Sequence, residues 1–339
     1  MKALRSAYLA ACVGVLLLAL LPGMTASGYH LQILTQVMIF ATLFTALDIA
    51  LGHAGLVSAA HGALFGLGAY TTGVLGAKAG WGFWQTLAPA IAIGCLCGLV
   101  VGALTLKLVG HYFVIATLGF GIVVTIVVRN WTSVTNGDLG LSPIPLPQPI
   151  GPLDFASETS FYYLTMTLAV VCSVGAFLLT RSSTGQRLRA IRDNAPLASA
   201  LGIDVSRTRL VAFVVSAGIA ALAGSFQATN LAFLNPSITS FDIAVTAILA
   251  IIVGGRATVA GPYVGAAIFV ILPEILRGAD EYRLIIMGSI LIVTIIFAPD
   301  GVVGRLAALW RWLTARLLPK AVPAAPSMSP GTVKENAHG

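Results

Sequence analysis

The chain has 339 residues, 58% of them hydrophobic and only 9% charged, with a mean hydropathy of +0.94 and a net charge of +7. Soluble domains carry about 25% charged residues, and 19 Lys and Arg with 12 Asp and Glu cannot cover the exterior of a soluble fold of this size. A soluble enzyme is excluded, and because the positive charges gather at the ends of apolar runs, membrane orientation accounts for them and no nucleic-acid partner is expected.

The expected fold is all-α: a polytopic helical membrane protein whose apolar runs approach the roughly 20 residues that cross about 30 Å of hydrocarbon. Lys2 and Arg5 precede a first run, Ala7 to Leu21, which is taken as a retained helix; a cleaved signal segment is the alternative. Further runs follow at Leu31 to Leu51, Ala54 to Ala77, Thr86 to Leu106 and Tyr112 to Val128, with Trp81 and Trp84 at an interface between the third and fourth. Residues 130–160 are rich in Pro and Gly, contain Asp138, Asp154 and Glu158 and no Lys or Arg, and so belong outside. A sixth run, Phe161 to Thr180, leads to a strongly basic stretch at 181–209. Beyond it lie runs at Leu210 to Ala228, Phe241 to Gly254, Val259 to Leu276 and Leu284 to Ala298, then Arg305, Arg311, Arg316 and Lys320.

Ten spans, or nine if the first is cleaved, place both termini in the cytoplasm together with Lys107, the 181–209 stretch and Arg256. Residues 1–318 would form one transmembrane domain and 319–339 a disordered tail. The four cysteines, Cys12, Cys95, Cys97 and Cys172, all lie in apolar runs and suggest neither a disulfide framework nor a metal site.

Glycines recur four apart at Gly62 and Gly66, at Gly94, Gly98 and Gly102, and at Gly261 and Gly265. That spacing puts each set on one helix face, which suits close helix packing and equally suits helices that shift past one another. Ionisable residues within the runs mark functional candidates. Asp48, His53, Asp242 and Glu274 sit near run ends, where water or the interface can solvate them; His61 is deeper, either a pathway residue or a satisfied packing histidine. Asp48, His61, Gly62, Gly66 and Tyr70 are the candidate translocation residues.

No phosphate loop, H-E-x-x-H or G-x-S-x-G occurs, so no catalytic residue, metal ligand or cofactor is assigned. No acid lies convincingly near a midplane, which disfavours an ion-coupled secondary carrier. A transporter with neither device draws energy from a partner, and 181–209 is where a partner can grip. It holds six Lys and Arg against Asp193 and Asp204. Thr184 is a candidate cap for a helix carrying Arg187, Leu188, Arg189, Ile191 and Arg192. Asn194 is a candidate cap for a second helix, Ala195 to Leu201, stopped by Gly202. The same stretch can also be read as a solvated loop that only sets topology.

Five segments together carry a resemblance: GHAGLVSAAHGALFGLGAY (52–70), NGDLGLSPIP (136–145), TGQRLRAIRDNAPLASALGI (184–203), GGRATVAGPYVGAA (254–267) and APDGVVG (298–304). In order and spacing the chain resembles the LivM-type permease subunits of ABC importers for branched-chain amino acids. The resemblance implies an inner-membrane permease that is not itself an enzyme, with a second related permease, two cytoplasmic ATPase subunits and a periplasmic binding protein as partners. It also implies that Gly185, Arg187, Ala190, Arg192, Asp193, Asn194, Ala198, Leu201 and Gly202 belong to an ATPase-coupling segment. Asp48 and His53 stand where the family commonly has Asn and Tyr, and Ala257 where Gly is frequent. The departures at Asp48 and His53, near the presumed pathway, leave urea, short amides or aromatic compounds as alternative substrates.

Overall fold

The computed structural model describes residues 28–278 except 109, 152, 153 and 156, together with Pro22 and part of 285–308. The first expected run at 7–21, most of the last at 284–298, the basic residues at 311–320 and the tail at 319–339 lie outside the described residues.

The described chain is helical. The helices are α1 Gly28–Asp48, continued as a π-turn Ile49–His53, then α2 His61–Ala79, α3 Phe83–Thr105, α4 His111–Asn130 and a single turn α5 Thr132–Thr135. After the 136–157 connection come α6 Glu158–Arg181, α7 Ser183–Asp193, α8 Ala195–Ala200, α9 Val205–Leu231, α10 Phe241–Gly254 and α11 Gly261–Ile275. Five helical segments are long and apolar enough to cross a membrane: Gly28–His53, α3, α4, α6 and α9. Local chemistry sets several starts, because Ser157, Ser182, Asn194 and Asp204 each accept an N–H from the first turn of the helix that follows.

α9 is the central post, packed against α1, α2 and α3. Small residues permit the approach. A methyl at Gly68 of α2 would overlap the Ala221 carbonyl of α9, and one at Gly224 of α9 would overlap the Phe65 carbonyl of α2. Gly94, Gly98 and Gly102 of α3 face Ala217, Ala221 and Leu210 of α9, and Gly265 of α11 faces Ala250 of α10. The four-residue glycine spacing therefore serves close packing. By contrast, α3, α4 and α6 turn large apolar side chains outward, among them Leu104, Ile115 and Leu178, as a lipid-facing surface requires.

Two elements differ from the sequence reading. The third apolar run is helical only from His61, since the chain after the π-turn passes through Gly55 at φ +70°, a left-handed conformation that breaks the helix. The eighth run is a short helix entered from a turn packed inside the bundle. A 3-10 turn, Pro236–Thr239, precedes it, and the Thr239 carbonyl accepts from Thr125 Oγ1 of α4 at 2.9 Å. The same turn packs on Gly66, and the Ser240 carbonyl lies against Gly62. Irregular backbone at such depth is tolerated because protein surrounds it.

Candidate functional site

One cluster of polar and charged side chains lies where α1 ends, α6 ends and α7 begins. Ser182 caps α7, accepting from Gly185 N–H at 3.5 Å, while Thr184 lies inside the helix. The cap is thus two residues earlier than the sequence suggests, because α6 and α7 run almost without a break and Ser182 is the one residue between them in extended backbone. α7 buries Gly185, Leu188 and Ile191 and turns Arg187 and Asp193 outward, while Arg189 and Arg192, partly exposed, reach back to the bundle. Asn194 caps α8 by accepting from Leu197 N–H at 3.0 Å, Pro196 fits its first turn, and Gly202 at φ +84° ends the pair.

Three sets of contacts fasten this two-helix knob. Arg192 Nη1 donates to the Gly52 carbonyl of the π-turn at 2.7 Å, and its side chain packs on Gly55. Arg189 Nη2 donates to the Thr180 carbonyl of α6 at 2.7 Å. Gly185 lies so close to that carbonyl that any Cβ would overlap it. On the outer side of α8, Leu197 and Leu201 are exposed, 57% and 73%, and their spacing places both on one helix face.

Asp48 makes a separate tie, between the end of α1 and the α10–α11 turn. Its Oδ1 accepts the backbone N–H of Ala257, in the α10–α11 turn, at 2.8 Å, and Oδ2 lies 3.8 Å from His53 Nε2. Asp48 is only 4% exposed, so it is not solvated at an interface as its position near a run end suggests. Ala257 is held at φ +57°, a left-handed conformation that costs about 1–2 kcal/mol for a residue with a Cβ. Gly52 is what lets the turn approach: a Cβ there would come within 2.7 Å of Ala257 N.

These ties border a partly open cavity of about 320 Å³. Its wall includes Asp48 and His53 from α1, Phe177 and Thr180 from α6, Arg189 and Arg192 from α7, and Thr258 from the α10–α11 turn. π-turns recur at functional sites, and here one supplies the carbonyl that anchors the knob.

Residues 29–295 match the family model for the branched-chain amino acid transport system / permease component. The chain belongs to this permease family. It is 30% identical over 303 residues to the high-affinity branched-chain amino acid transport system permease protein LivM of Salmonella typhimurium, covering 83% of this chain and 71% of that one. Against LivM of Escherichia coli the identity is 29%, covering 85% and 73%; against LivH of Escherichia coli it is 25%, covering 78% and 91%. No solved structure matches.

Of the residues singled out from sequence, the permease brings Asp48 to the cavity and to the knob's anchor, but not His61, Gly62, Gly66 or Tyr70. His61 is fully buried between Ser58 Oγ at 3.0 Å and Ser216 Oγ at 3.1 Å, edge-on to Phe213. Ser216 Oγ donates to the Phe213 carbonyl and Ser58 Oγ accepts from Ala60 N–H. That network assigns the proton of a neutral ring to Nε2. Tyr70 is 4% exposed, and its hydroxyl is buried with no hydrogen-bond partner among the described residues.

Sequence reasoning missed Gly52 as an acceptor and Gly55 as a packing platform. It also missed Thr180 as a double contact and Leu197 as the companion of Leu201. The only local signal was the second capped helix, whose turn would have put Leu197 and Leu201 side by side.

Proposed function

We propose that this chain is the permease subunit of an ATP-driven ABC importer of the inner membrane, moving branched-chain amino acids delivered by a periplasmic binding protein. It works with a second, related permease and two cytoplasmic ATPase subunits that hydrolyse the ATP. Within it α7 and α8, residues 183–202, are the coupling segment. The observation that carries this reading is the fastening of a capped, rigid knob to the ends of two transmembrane helices, one of them tied on to the α10–α11 turn. Arg192 ties it to the end of α1, and Arg189 and Gly185 to the end of α6; Asp48 joins the α1 end to the α10–α11 turn. A solvated loop that only set topology would need none of these bonds.

In this mechanism the exposed face of α8, with Leu197 and Leu201, sits in a groove of an ATPase subunit. Closure of the ATPases on ATP pushes the knob, and the push reaches α1, α6 and the α10–α11 turn together, tilting them toward the outward-open arrangement. Gly185, Ala198 and the buried face of α7 give the knob its shape. Arg187, Asp193 and Leu201 present its outer surface, and Asn194 and Gly202 set the angle between its helices. Ala190, part-buried on α7, spaces that helix from its neighbours.

Reconstitution tests the reading. Leucine uptake into proteoliposomes should need all the subunits, the binding protein and ATP. Gradient-driven uptake by this chain alone would overturn it, as would uptake of urea, short amides or aromatic acids in preference to leucine.

A further inference from the structure

The cavity beneath the knob carries an excess of positive charge. Three guanidiniums line it, Arg181 from the end of α6 and Arg189 and Arg192 from α7, against one carboxylate, Asp48. Asp193 pairs with Arg192 at 3.2 Å from outside the lining, and even with it counted the cations outnumber the acids. A guanidinium has five N–H donors. Arg189 commits one to the Thr180 carbonyl, and Arg192 one each to Gly52 and Asp193. Arg181 makes no hydrogen bond or ion pair among the described residues; its Cζ lies over the Phe177 ring, 4.8 Å from the centroid.

The hydroxyls of the wall are already spent as donors. Thr45, Thr180 and Thr258 donate to the carbonyls of Ala41, Phe177 and Gly255, and Ser173 Oγ is paired with the Tyr263 hydroxyl at 2.8 Å. The spare donors are therefore chiefly guanidinium N–H groups. Acceptor capacity remains on the Thr45 and Thr180 oxygens and on Asp48 Oδ2, which lies 3.8 Å from His53 Nε2, beyond hydrogen-bond reach. A ligand that matches this wall is an anion that also carries hydroxyl groups, its charged oxygens facing the arginines and its O–H donors facing the Asp48 side.

The place of the cavity narrows the source. It is partly open, and about 320 Å³ falls in the range of small-molecule pockets, about 300–1,000 Å³. On α6, Val174 and Leu178 are 51% and 62% exposed. They stand three residues before Phe177 and Arg181, about 60° round the helix. An anion held by Arg181 thus sits beside an apolar strip on which acyl chains can lie. Basic pockets between membrane helices suit acidic headgroups.

We propose that the cavity binds the phosphodiester headgroup of an anionic glycerophospholipid from the leaflet at the α7 end of the bundle, phosphatidylglycerol being a simple lipid with both a phosphate and free hydroxyls. The phosphate lies on Arg181 and Arg189, the hydroxyls toward Asp48, and the acyl chains on the outer face of α6. The site does not depend on what the permease carries.

The test uses the full-length chain, purified in a mild detergent and titrated with phosphatidylglycerol, with bound lipid counted by native mass spectrometry. One site is expected that binds phosphatidylglycerol about tenfold or more tightly than phosphatidylcholine of the same acyl chains. Arg181→Gln should weaken it about tenfold. Arg207→Gln, at an exposed arginine of α9 outside the cavity, should leave it unchanged. Equal affinity for phosphatidylcholine, or a site indifferent to Arg181→Gln, overturns the proposal. Inorganic phosphate and glycerol 3-phosphate separate a lipid from a soluble anion. Neither should displace the lipid at equal concentration, and displacement by either overturns the headgroup assignment. Photolabelling of the unaltered chain covers the case of a variant that fails to fold. Phosphatidylglycerol with a photoreactive acyl chain should label the α6 peptide holding Val174 and Leu178, less so under excess unlabelled lipid, and labelling that spares this peptide overturns the site.

Discussion

Replacing Arg192 by Ala tests whether the knob works as a lever. The substitution removes the donor to the Gly52 carbonyl, 2.7 Å away, and the contact with Asp193 at 3.2 Å. The second contact matters little, because the Asp193 side chain is 70% exposed and surface pairs of this kind contribute about 0–1 kcal/mol. The first is a charge-assisted bond to a carbonyl at the end of a π-turn, worth about 1.5–3 kcal/mol. Arg192 itself is 35% exposed, so the lower figure applies, and about 1.4 kcal/mol corresponds to a tenfold change in an equilibrium. The knob should then be detached from α1 about tenfold more often while staying folded, since its caps and buried face are untouched. In proteoliposomes holding the complete importer, phosphate release and leucine uptake measured together should show ATP turnover largely retained and uptake per ATP reduced several-fold. Asp193→Ala should change neither. Combining Arg189→Glu with Arg192→Glu, which removes both anchors and reverses the charge, should abolish coupling while leaving membrane insertion intact. Unchanged uptake per ATP in Arg192→Ala, with the complex still assembled, would refute the lever.

Asn194→Ala should cost about 1 kcal/mol of α8 stability by removing its cap, seen as faster hydrogen exchange at the Leu197 amide with the rest of the chain unaffected. Ala257→Gly should stabilise the protein by up to about 1 kcal/mol, because a Cβ at φ +57° is strained; a lower thermal midpoint in detergent would contradict this. His61→Ala should lower stability by about 1–3 kcal/mol by leaving the Ser58 and Ser216 hydroxyls without their shared partner. The concentration dependence of uptake should stay unchanged, and a shifted KM in a folded His61→Ala protein would assign the ring to the pathway instead.

The long helices were legible because hydropathy separates membrane spans from loops over about twenty residues, and α3, α4, α6 and α9 lie within a few residues of the predicted runs. The break between the π-turn and His61 was not. Residues 54–60 are apolar and largely buried as a loop, so hydropathy cannot tell them from helix, and the left-handed Gly55 is one glycine among 36. Capping chemistry located α7 and α8 but placed the first cap at Thr184, two positions past Ser182, because both are capping residue types and only the extended backbone of Ser182 tells them apart. Asp48 was misplaced at a solvated interface because its partner, Ala257, is 209 residues away. The left-handed φ of Ala257 does give a physical meaning to a position where the resembled family frequently has glycine. The cavity was invisible because its wall is drawn from α1, α6, α7 and the α10–α11 turn.

The kinds of contact are distributed unevenly along the bundle, and that bears on how a push at α7 can move it. At the knob end the ties are directional and point to single atoms: Gly52 O, Thr180 O and the Ala257 N–H. Along α9 the interface with α2 and α3 combines Gly and Ala packed on backbone with a few large side chains, Phe226 edge-on to Phe83 of α3 and Phe213 edge-on to His61 of α2. The base of α2 is pinned to α9 by His61 and Ser216, and Ser225 Oγ reaches the Gly68 carbonyl only at 3.3 Å, shared with Ala221 O at 3.2 Å. A force applied at α7 is therefore carried without slack into α1, α6 and the α10–α11 turn. The α3–α9 face is closely packed and locked by Phe83 against Phe226, and α2 is fixed to α9 at its base by His61 and Ser216. On the proposed coupling mechanism the elements that receive such a push first are α1 and α6, which carry the knob's bonds, and the cavity at their junction is the volume that changes with it.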